Sequence, residues 1–456
     1  MRKNEPYSIE VASREEVDNI LNRRIRSTAE LAYRHSPFWK RKFDQLRMKP
    51  EDIRDQESLL EANRKGLRIS REEIIKDFPS LVTDLVSNLY VEEIWTSGST
   101  GLPKRIWFSK DDFKRSYEQV SLLYNAMGLS PGDYVLNLFS PDPNASGTMS
   151  KEAAKDFGLH MLHISIGLPP DKLLQIIKYR RPQSLFALGT KAYQLPRQIE
   201  ALGEKAGNLG IESILLGGEP CTKERKNVIE RDWNASVIDC LASAELSVFG
   251  YQTLGCNADI MHVPENRVFV NFVDPKTLDP VNKEEKGVDL VSTLYDLDEK
   301  PAMILLGYSL GDTSRLLDSK ECNCGRTYKQ IEWPVFRNDY TVHMAGQNIY
   351  PVLGTESAIA DSPFLTGEYL TIYKEASGPQ RKPYLEVRVE TKKSVPEGDR
   401  KKLEEKIWSY VISNPAAYDI VMAQSELVLK FMETGQLFNG LESYQKPGKP
   451  IRLIKA

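Results

Sequence analysis

The chain has 456 residues, 41% of them hydrophobic and 27% charged, and a formal net charge of −3 at pH 7. The composition is that of an ordinary soluble globular protein, and the length favours two or three domains. The small net charge excludes a strong electrostatic attraction to nucleic acid or to an anionic membrane. The first ten residues lack the apolar core of a signal peptide, no apolar run is long enough to cross a bilayer, and five cysteines do not suggest a disulfide framework. We therefore expect a cytoplasmic protein.

Residues 1–85 form the first predicted segment, and they favour helices because charges are frequent and glycines are rare. Within this segment, residues 17–33 carry apolar side chains at mixed three- and four-residue spacing, which predicts an amphipathic helix. The Ser36-Pro37 pair ends that helix.

Residues 94–108 predict a strand–loop–strand turn with phosphate-binding chemistry. Apolar residues flank a core of hydroxyl residues and glycines, whose N–H and hydroxyl groups can donate to phosphate oxygens. The spacing is not that of the common G-x-x-x-x-G-K-[ST] loop, and composition alone also fits a polar surface hairpin. The candidate phosphate ligands are Thr96, Ser97, Gly98, Ser99, Thr100, Gly101 and Lys104.

The string T-S-G-S-T-G-L-P-K at residues 96–104 resembles the phosphate loop of the adenylate-forming superfamily, the acyl- and aryl-CoA ligases and their relatives. Residues 35–44 are similar to the opening of one branch, the phenylacetate–CoA ligase-like proteins. The resemblance extends over nearly the whole chain with its motifs in the correct order. It implies ATP and Mg²⁺ as cofactors, CoA as co-substrate and a catalytic role for Thr100.

Between about residues 90 and 335, β-rich runs alternate with helical ones, which predicts an α/β domain with a substantial sheet. The resemblance implies the same class, with a large N-terminal adenylate-forming domain of β-sheets flanked by helices and a small mobile α+β C-terminal domain. The predicted boundaries are 1–336 for the adenylation domain, 337–339 for a hinge and 340–456 for the small domain. Predicted strands are residues 134–139, 185–188, 213–216, 237–239 and 288–293.

The acid-binding segment is expected at residues 139–148, where aryl-CoA ligases have an aromatic and glycine-rich stretch. This chain is more polar there, which suggests an aromatic acid that carries hydroxyl or amino groups. Hydrogen bonding within the loop is an equally good explanation of the polar side chains. The candidate acyl-pocket residues are Ser146, Gly147, Thr148 and Ala242.

The nucleotide base and ribose are assigned to three segments. Gly217-Gly218-Glu219-Pro220 follows an apolar strand, where main-chain groups can line a purine pocket. In the family the matching loop borders adenine, and an aspartate matching Asp312 holds both ribose hydroxyls. The candidate adenine and ribose ligands are Gly217, Gly218, Glu219, Pro220, Asp239, Cys240, Leu241 and Asp312.

Residues 239–245 match the family's aromatic-glycine-x-[ST]-Glu signature with two departures. Glu245 takes the place of the catalytic carboxylate that is associated with Mg²⁺, an ion that needs only one or two such oxygens. Leu241 stands where a tyrosine usually packs on adenine, and Ala244 stands where a hydroxyl usually contacts phosphate. Both departures remove contacts to ATP.

A zinc site is predicted from Cys322 and Cys324, a C-x-C-G knuckle, together with Cys256 and His262. Three thiolates and one imidazole complete a tetrahedral structural site with no open position. The alternative is that these cysteines are buried small hydrophobes, although two thiols separated by one residue rarely both face a core. Some phenylacetate–CoA ligase-like proteins have C-x-C-G-R at this point. The other two cysteines, Cys221 and Cys240, are interpreted as core residues.

Arg337 and Asp339 match the family's G-R-x-D hinge, although Phe336 replaces the glycine. In the family the two domains rotate about this point between adenylation and thioester formation. Gly346 lies in a segment similar to the family's thiol-channel motif, whose arginine is Ala345 here. That departure bears on the CoA step more than on adenylation.

The remaining chain predicts a small α+β domain with strands at residues 384–390 and 426–431 and a helix at 399–412. Near its end, G-K-P-I-R at residues 448–452 matches the family's terminal G-K-x-x-R. The resemblance makes Lys449 the catalytic lysine that bridges carboxylate and phosphate oxygens, with Lys446 as the second candidate. One positioned group of this kind contributes roughly 2.7–4 kcal/mol to the transition state. A basic tail is otherwise usually just solvated.

Three functions fit these observations. The first is an acid–CoA ligase, whose partners are a small carboxylic acid, ATP and CoA or another thiol or amine acceptor, with a homodimer as the candidate assembly. The second is an adenylating enzyme that passes acyl-AMP to a carrier protein, an amine or another acceptor, which Ala345 favours slightly. The third is a degenerate, non-catalytic nucleotide- or acyl-binding member, which Leu241 and Ala244 support and the intact phosphate loop opposes.

Overall fold

The computed structural model of the chain describes residues 7–96, 104–139, 145–165, 167–256, 259–282, 285–317, 322–375, 382–441 and 451–455. Two compact units are present. The first comprises Met1–Leu188, Leu209–Gly218 and Ala235–Val335, and the second comprises Gly189–Asn208, Glu219–Asn234 and Phe336–Ala456. The second unit therefore takes two segments from the middle of the chain as well as its C-terminal part.

The first unit begins with a run of helices. A capping box starts the first of them, because the Ser13 hydroxyl accepts from Glu16 N while the Glu16 carboxylate accepts from Ser13 N. This helix contains the predicted amphipathic segment, and the next one begins at Pro37, whose fixed φ suits a first helical position. The helices of the first unit are α1 (Arg14–His35), α2 (Pro37–Leu46), α3 (Gln56–Lys65), α4 (Arg71–Lys76), α5 (Phe78–Leu81), α6 (Lys110–Ala126), α7 (Ala145–Phe157) and α8 (Pro170–Arg180).

The strands of the first unit belong to one hairpin and two larger sheets. The predicted strands at residues 134–139, 185–188, 213–216, 237–239 and 288–293 coincide with β3, β5, β6, β7 and β11, apart from shifts at their ends. The full set is β1 (Glu92–Trp95), β2 (Arg105–Phe108), β3 (Tyr134–Asn137), β4 (His160–His163), β5 (Ser184–Ala187), β6 (Ser213–Gly217), β7 (Ser236–Ser243), β8 (Ser247–Tyr251), β9 (Ile260–His262), β10 (Val268–Val273), β11 (Gly287–Thr293), β12 (Asp312–Ser314) and β13 (Gln330–Glu332).

The largest sheet has the strand order β13-β9-β8-β7-β6-β5-β3-β4. The half from β7 to β4 is parallel and the half from β13 to β7 is antiparallel. Every residue of β5 and β6 is buried, as expected for parallel strands covered on both faces. A second sheet pairs β10, β11 and β12 antiparallel. These sheets and helices confirm the predicted α/β class.

A buried polar network fixes the N-terminal segment beside this sheet. The Glu10 carboxylate pairs with the Arg326 guanidinium and accepts from the Tyr251 hydroxyl at 2.6 Å. Arg326 also donates to Asn125 Oδ1 at 2.9 Å, and Thr327 N donates to Glu10 O at 2.8 Å. Both charged side chains have 0% exposure, so each depends on the other for a counter-charge.

The second unit combines two mid-chain helices with a four-stranded sheet of order β19-β18-β17-β20. The predicted strands at residues 384–390 and 426–431 and the helix at 399–412 are present as β18, β19 and α12. Its elements are α9 (Gly189–Glu200), α10 (Lys223–Trp233), β14 (Phe336–Arg337), β15 (Val342–Met344), β16 (Gln347–Ile349), α11 (Pro351–Ile359), β17 (Leu365–Lys374), β18 (Tyr384–Thr391), α12 (Glu397–Val411), α13 (Pro415–Gln424), β19 (Glu426–Met432) and β20 (Leu453–Lys455).

The helices α11 and α12 pack so closely that only glycine fits at one position. A Cβ on Gly354 would lie 2.4 Å from Val411 Cα. We expect Gly354→Ala to lower the free energy of unfolding by roughly 1–3 kcal/mol, because the helices must separate. Gly398, in the first turn of α12, is the matched control, since nothing lies within 4 Å of its added Cβ. Urea unfolding followed by circular dichroism compares the two variants, and equal midpoints would contradict the prediction.

Among the described residues, none of the helices combines the length and apolar character required to span a membrane.

Candidate active site and metal centre

The predicted phosphate-loop turn is a β-hairpin in the structure. β1 pairs antiparallel with β2, from Glu92 opposite Phe108 to Trp95 opposite Arg105. Beyond the strands, Thr96 N donates to Lys104 O, and Lys104 N donates to Thr96 Oγ1, both at 3.0 Å. The predicted strands on both sides are therefore confirmed. Ser97, Gly98, Ser99, Thr100 and Gly101 lie outside the described residues.

The phosphate-loop lysine meets the predicted magnesium carboxylate. Lys104 Nζ forms a buried ion pair with Glu245 Oε1, although the two residues are 141 positions apart. The Tyr308 hydroxyl lies 2.7 Å from Lys104 Nζ and donates to Glu245 Oε1 at 3.3 Å. Lys104 is 5% exposed and Glu245 is 6% exposed, so the pair is shielded from solvent. A single carboxylate of this kind suits Mg²⁺, which takes one or two carboxylates together with water and phosphate oxygens.

A second carboxylate holds the turn that carries Asp312. Asp289 Oδ1, on β11, accepts from the main-chain N–H groups of Leu310, Gly311 and Asp312 at 2.9–3.1 Å. It also accepts from the Ser309 hydroxyl at 3.0 Å. Burial and the neighbouring Asp312 carboxylate raise the pKa of Asp289 to about 7, against the lowering effect of these donors. The predicted ribose ligand is therefore fixed through its main chain by a residue that the motifs do not contain.

The predicted adenine residues from two segments lie side by side at the carboxyl ends of parallel strands. Gly217 at the end of β6 is in register with Cys240 on β7, and Leu216 is in register with Asp239. A Cβ on Gly217 would lie 2.8 Å from Cys240 Sγ, so a larger residue there would require the Cys240 side chain to shift. The Asp239 carboxylate accepts from the Trp333 indole N–H at 2.8 Å. This sheet edge is where α/β folds usually bind nucleotides.

The remaining adenine and acyl-pocket candidates of the first unit differ in their exposure to solvent. Gly218 takes a φ of +82° and is exposed, Leu241 is partly buried and Ala242 is exposed. Ser146, Gly147 and Thr148 lie in the first turn of α7, which begins at Ala145, rather than in a loop. Gly147 is buried, Thr148 is partly buried and Ser146 is exposed, and residues 140–144 lie outside the described part.

The four predicted zinc ligands form one cluster. Their ligand atoms lie within 4.8 Å of one another, with His262 Nε2 at 3.4 Å from Cys256 Sγ and 3.3 Å from Cys324 Sγ. Cys322 Sγ lies 3.4 Å from Cys256 Sγ. Zinc–ligand distances in a tetrahedral site separate such atoms by roughly 3.5–3.8 Å, so three sulfurs and one nitrogen at this spacing fit the ion.

The surroundings of the cluster also suit a metal. His262 Nδ1 faces Tyr328 O at 3.4 Å, which leaves Nε2 directed at the thiols. Hydrogen bonding from Cys256 lowers the pKa of the Cys324 thiol to about 2, although burial opposes the shift. A thiolate is the form that binds zinc. The two cysteines outside the cluster differ, since Cys221 is buried and Cys240 only partly so.

In the second unit, the predicted adenine-loop carboxylate and the terminal motif share one partner. Glu219 Oε1 accepts from Thr190 N, and Thr190 Oγ1 accepts from Arg452 Nη2 at 3.1 Å. Burial raises the pKa of Glu219 in spite of the nearby Arg452 cation. Pro220 is partly buried. The two candidate catalytic lysines, Lys446 and Lys449, lie outside the described residues.

The predicted hinge and thiol-channel residues are also in the second unit. Arg337 Nη2 and Asp339 Oδ2 lie 3.1 Å apart on the surface. Ala345 and Gly346 have φ angles of +50° and +76° and connect β15 to β16. Two residues with positive φ are typical of a tight hairpin.

Comparison with known proteins agrees with this arrangement. No protein-family model matches the chain. It is 24% identical over 346 residues to a phenylacetate-coenzyme A ligase of Thermus thermophilus, covering 75% of each chain. It is also 24% identical to a phenylacetate-coenzyme A ligase of Escherichia coli over 75% of this chain and 76% of that one. A crystal structure of 2-hydroxyisobutyryl-CoA ligase in complex with 2-HIB-AMP superposes with a TM-score of 0.83 and 19% identity, over 98% of this chain and 91% of that one.

The chain is similar in sequence to phenylacetate-coenzyme A ligases and similar in fold to a CoA ligase that binds an acyl-adenylate. Three residues that the motifs did not reveal contact the candidate site residues. Tyr308 contacts both charges of the Lys104–Glu245 pair, Asp289 holds the Asp312 turn, and Thr190 contacts Arg452. For Tyr308 the signal in the sequence was an aromatic residue just before the Gly-Asp pair, and for Asp289 it was a carboxylate within an apolar strand. Both signals were weak, and Thr190 had none.

Proposed function

We propose that the chain is an AMP-forming acid–CoA ligase. It uses ATP to convert a carboxylic acid to an acyl-adenylate and pyrophosphate, and it then transfers the acyl group to CoA with release of AMP. The observation that carries this proposal is the convergence of Lys104 and Glu245, two signature residues from distant parts of the chain, in a chain with curated phenylacetate–CoA ligase relatives.

In the first half-reaction the acid carboxylate attacks the α-phosphorus of ATP. The residues of the hairpin loop, Thr96 and Lys104 among them, bind the phosphate chain, and Asp312 accepts from the ribose hydroxyls. Glu245 would hold Mg²⁺, which neutralises phosphate charge when bound. The protein accelerates the reaction chiefly by positioning the reactants and stabilising charge. Because Lys104 is paired with Glu245 in this structure, the phosphates of ATP would compete with the Glu245 carboxylate for the lysine.

We expect Lys449→Ala to lower the rate of adenylation about 10²–10³-fold, because a positioned cation no longer stabilises the transition state. ATP binding should change far less, which a titration calorimetry experiment measures separately from acid-dependent ATP–pyrophosphate exchange. Lys446→Ala is the matched control on the same tail. An exchange rate that falls only in Lys446→Ala would transfer the catalytic role to that residue.

The acid is proposed to be aromatic, with hydroxyl or amino substituents bound by Ser146 and Thr148. Its support is the polar character of the acyl-pocket segment, and Gly147 and Ala242 complete the proposed lining. Pyrophosphate exchange with benzoate, phenylacetate and their hydroxy and amino derivatives tests the assignment. Equal rates with substituted and unsubstituted acids would remove the polar contact from the proposal.

A second function is favoured by one residue. Ala345 replaces the arginine of the thiol-channel motif, so the acyl-adenylate could have an acceptor other than CoA, such as a carrier protein or an amine. AMP release measured with and without CoA separates the two. Exchange that CoA does not convert to AMP release would favour the second function. Absence of exchange with every acid would favour a non-catalytic binding protein, for which Leu241 and Ala244 are the support.

We also propose that Cys256, His262, Cys322 and Cys324 hold a structural Zn²⁺ and that the C-terminal domain rotates about Arg337–Asp339 before the thioester step. Gly346 would then line the approach of the thiol. A cytoplasmic location and a homodimeric assembly stay predictions.

A further inference from the structure

Arg452 is fixed through both its main chain and its side chain. Its carbonyl oxygen accepts from Thr371 N at 2.9 Å and from Thr371 Oγ1 at 2.6 Å. Its guanidinium donates to Glu368 Oε2 at 2.9 Å, to Tyr369 O at 3.0 Å and to Thr190 Oγ1 at 3.1 Å. The side chain is only 7% exposed. Arg452 therefore cannot turn without breaking several charge-assisted hydrogen bonds together.

The bond to Thr190 differs from the others because it reaches outside the C-terminal sheet. Thr190 is the second residue of α9 and lies 262 positions before Arg452. A second bond joins the same elements, since Gln194 Nε2 on α9 donates to Glu368 Oε1 at 2.6 Å. The four residues Thr190, Gln194, Glu368 and Arg452 form what we call the tail clamp.

The tail clamp contains a largely buried ion pair between Arg452 and Glu368. Burial alone would raise the pKa of Glu368, but the Arg452 guanidinium holds that pKa below its ordinary value. The Arg452 guanidinium also lies over the Tyr369 ring, 4.5 Å from its centroid. These contacts hold both partners charged at neutral pH, which makes the clamp a specific attachment rather than loose packing.

Arg452 follows Lys449 by three residues, and three extended residues span at most roughly 11 Å. We propose that Arg452 is a positioning residue, and that its attachment to Thr190 and Glu368 places the catalytic tail for adenylation only. The inference rests on the proposed function. In the thioester step, the proposed rotation about Arg337–Asp339 would carry residues 340–456, with β20, away from α9. The packing of α9 in the second unit would then belong to the adenylation arrangement only, and the clamp would be open.

The two half-reactions can be measured separately to test this role. Adenylation is followed as acid-dependent ATP–pyrophosphate exchange, and thioester formation as AMP release from added acyl-adenylate and CoA. We expect Thr190→Val, which removes one hydroxyl with little change of shape, to slow adenylation about tenfold. Glu368→Gln should slow it further, because the charge of the acceptor is lost. Thioester formation should stay within about twofold of wild type in both variants.

Glu386→Gln is the matched control, since Glu386 is a buried carboxylate on β18 that pairs with Arg388 and Lys430 and makes no described contact with Arg452. It should leave the ratio of the two rates unchanged. Equal losses in both half-reactions, or no loss in either, would overturn the inference.

Hydrogen–deuterium exchange of the peptide covering residues 451–456 measures the clamp without any substrate. It should be faster in Thr190→Val and Glu368→Gln than in wild type and unchanged in Glu386→Gln. Absence of pyrophosphate exchange in the wild-type protein would defeat the proposed function. Unchanged deuterium uptake in both clamp variants would defeat the clamp itself, whatever the activity.

Discussion

Replacing Glu245 by glutamine should destabilise the protein by roughly 3–5 kcal/mol, because the substitution leaves the buried Lys104 ammonium without its counter-charge. It should also abolish adenylation, because the carboxylate proposed to hold Mg²⁺ is lost. Tyr308 contacts the same lysine, but a neutral hydroxyl cannot replace a carboxylate. Chemical unfolding at pH 7 measures the stability change, and ATP–pyrophosphate exchange measures the activity.

A double-mutant cycle separates the two effects of this substitution. Lys104→Met removes the cation, so the double variant Lys104→Met/Glu245→Gln should recover most of the stability lost in Glu245→Gln. It should recover none of the activity, because both charges of the proposed phosphate and magnesium site are gone. Strictly additive destabilisation in the double variant would show that the pair does not interact in solution.

Zinc content should be one ion per chain, and Cys322→Ser should reduce it to near zero. The four ligands come from three segments: Cys256 follows β8, His262 ends β9, and Cys322 and Cys324 precede β13. Without the ion, these segments would lose the ligand bonds that join them. Metal binding to a folded site contributes directly to folding free energy. A loss of about 3 kcal/mol lowers the melting temperature of a 150–250-residue domain by roughly 6–12 °C, and the fall should be smaller in the larger first unit.

The control for this prediction is Cys221→Ser, which exchanges the same atoms at a buried cysteine outside the cluster. It should keep the full zinc content, as measured by plasma emission spectrometry on the dialysed protein. Equal zinc content in Cys322→Ser and wild type would place the metal elsewhere or show that the cluster binds none.

Most of the sheet and the cysteine–histidine cluster could be predicted from sequence because their signals are largely local. The hairpin at residues 94–108, the strand that ends at Gly217 and the C-x-C knuckle each depend on a few neighbouring residues. The order of the family motifs then indicated which of these segments belong to one site. The structure brings Lys104 to Glu245, as expected if the two residues belong to one proposed phosphate and magnesium site.

The residues that sequence reasoning missed act through partners far along the chain. In the sequence, Asp289 is a single charge within an apolar strand. In the structure, the main-chain N–H groups of the turn that carries Asp312 donate to the Asp289 carboxylate. In the sequence, Thr190 is an ordinary residue at the start of a helix. In the structure, its hydroxyl accepts a hydrogen bond from Arg452, which lies 262 positions later. Helix α7 begins at Ala145 and includes Ser146, Gly147 and Thr148, whereas the sequence suggested a loop there. Such roles depend on tertiary contacts, which no local pattern encodes.

The pairing of Glu10 with Arg326 also sets an order on synthesis. The two charges are separated by 316 positions, and ribosomes add about 5–20 residues per second, so Glu10 waits roughly 15–60 s for its partner. During that time the helices that follow Glu10 have already been synthesised, while the segment that contains Arg326 has not. The segment around Glu10 therefore cannot complete its buried ion pair until the end of the first unit has been synthesised.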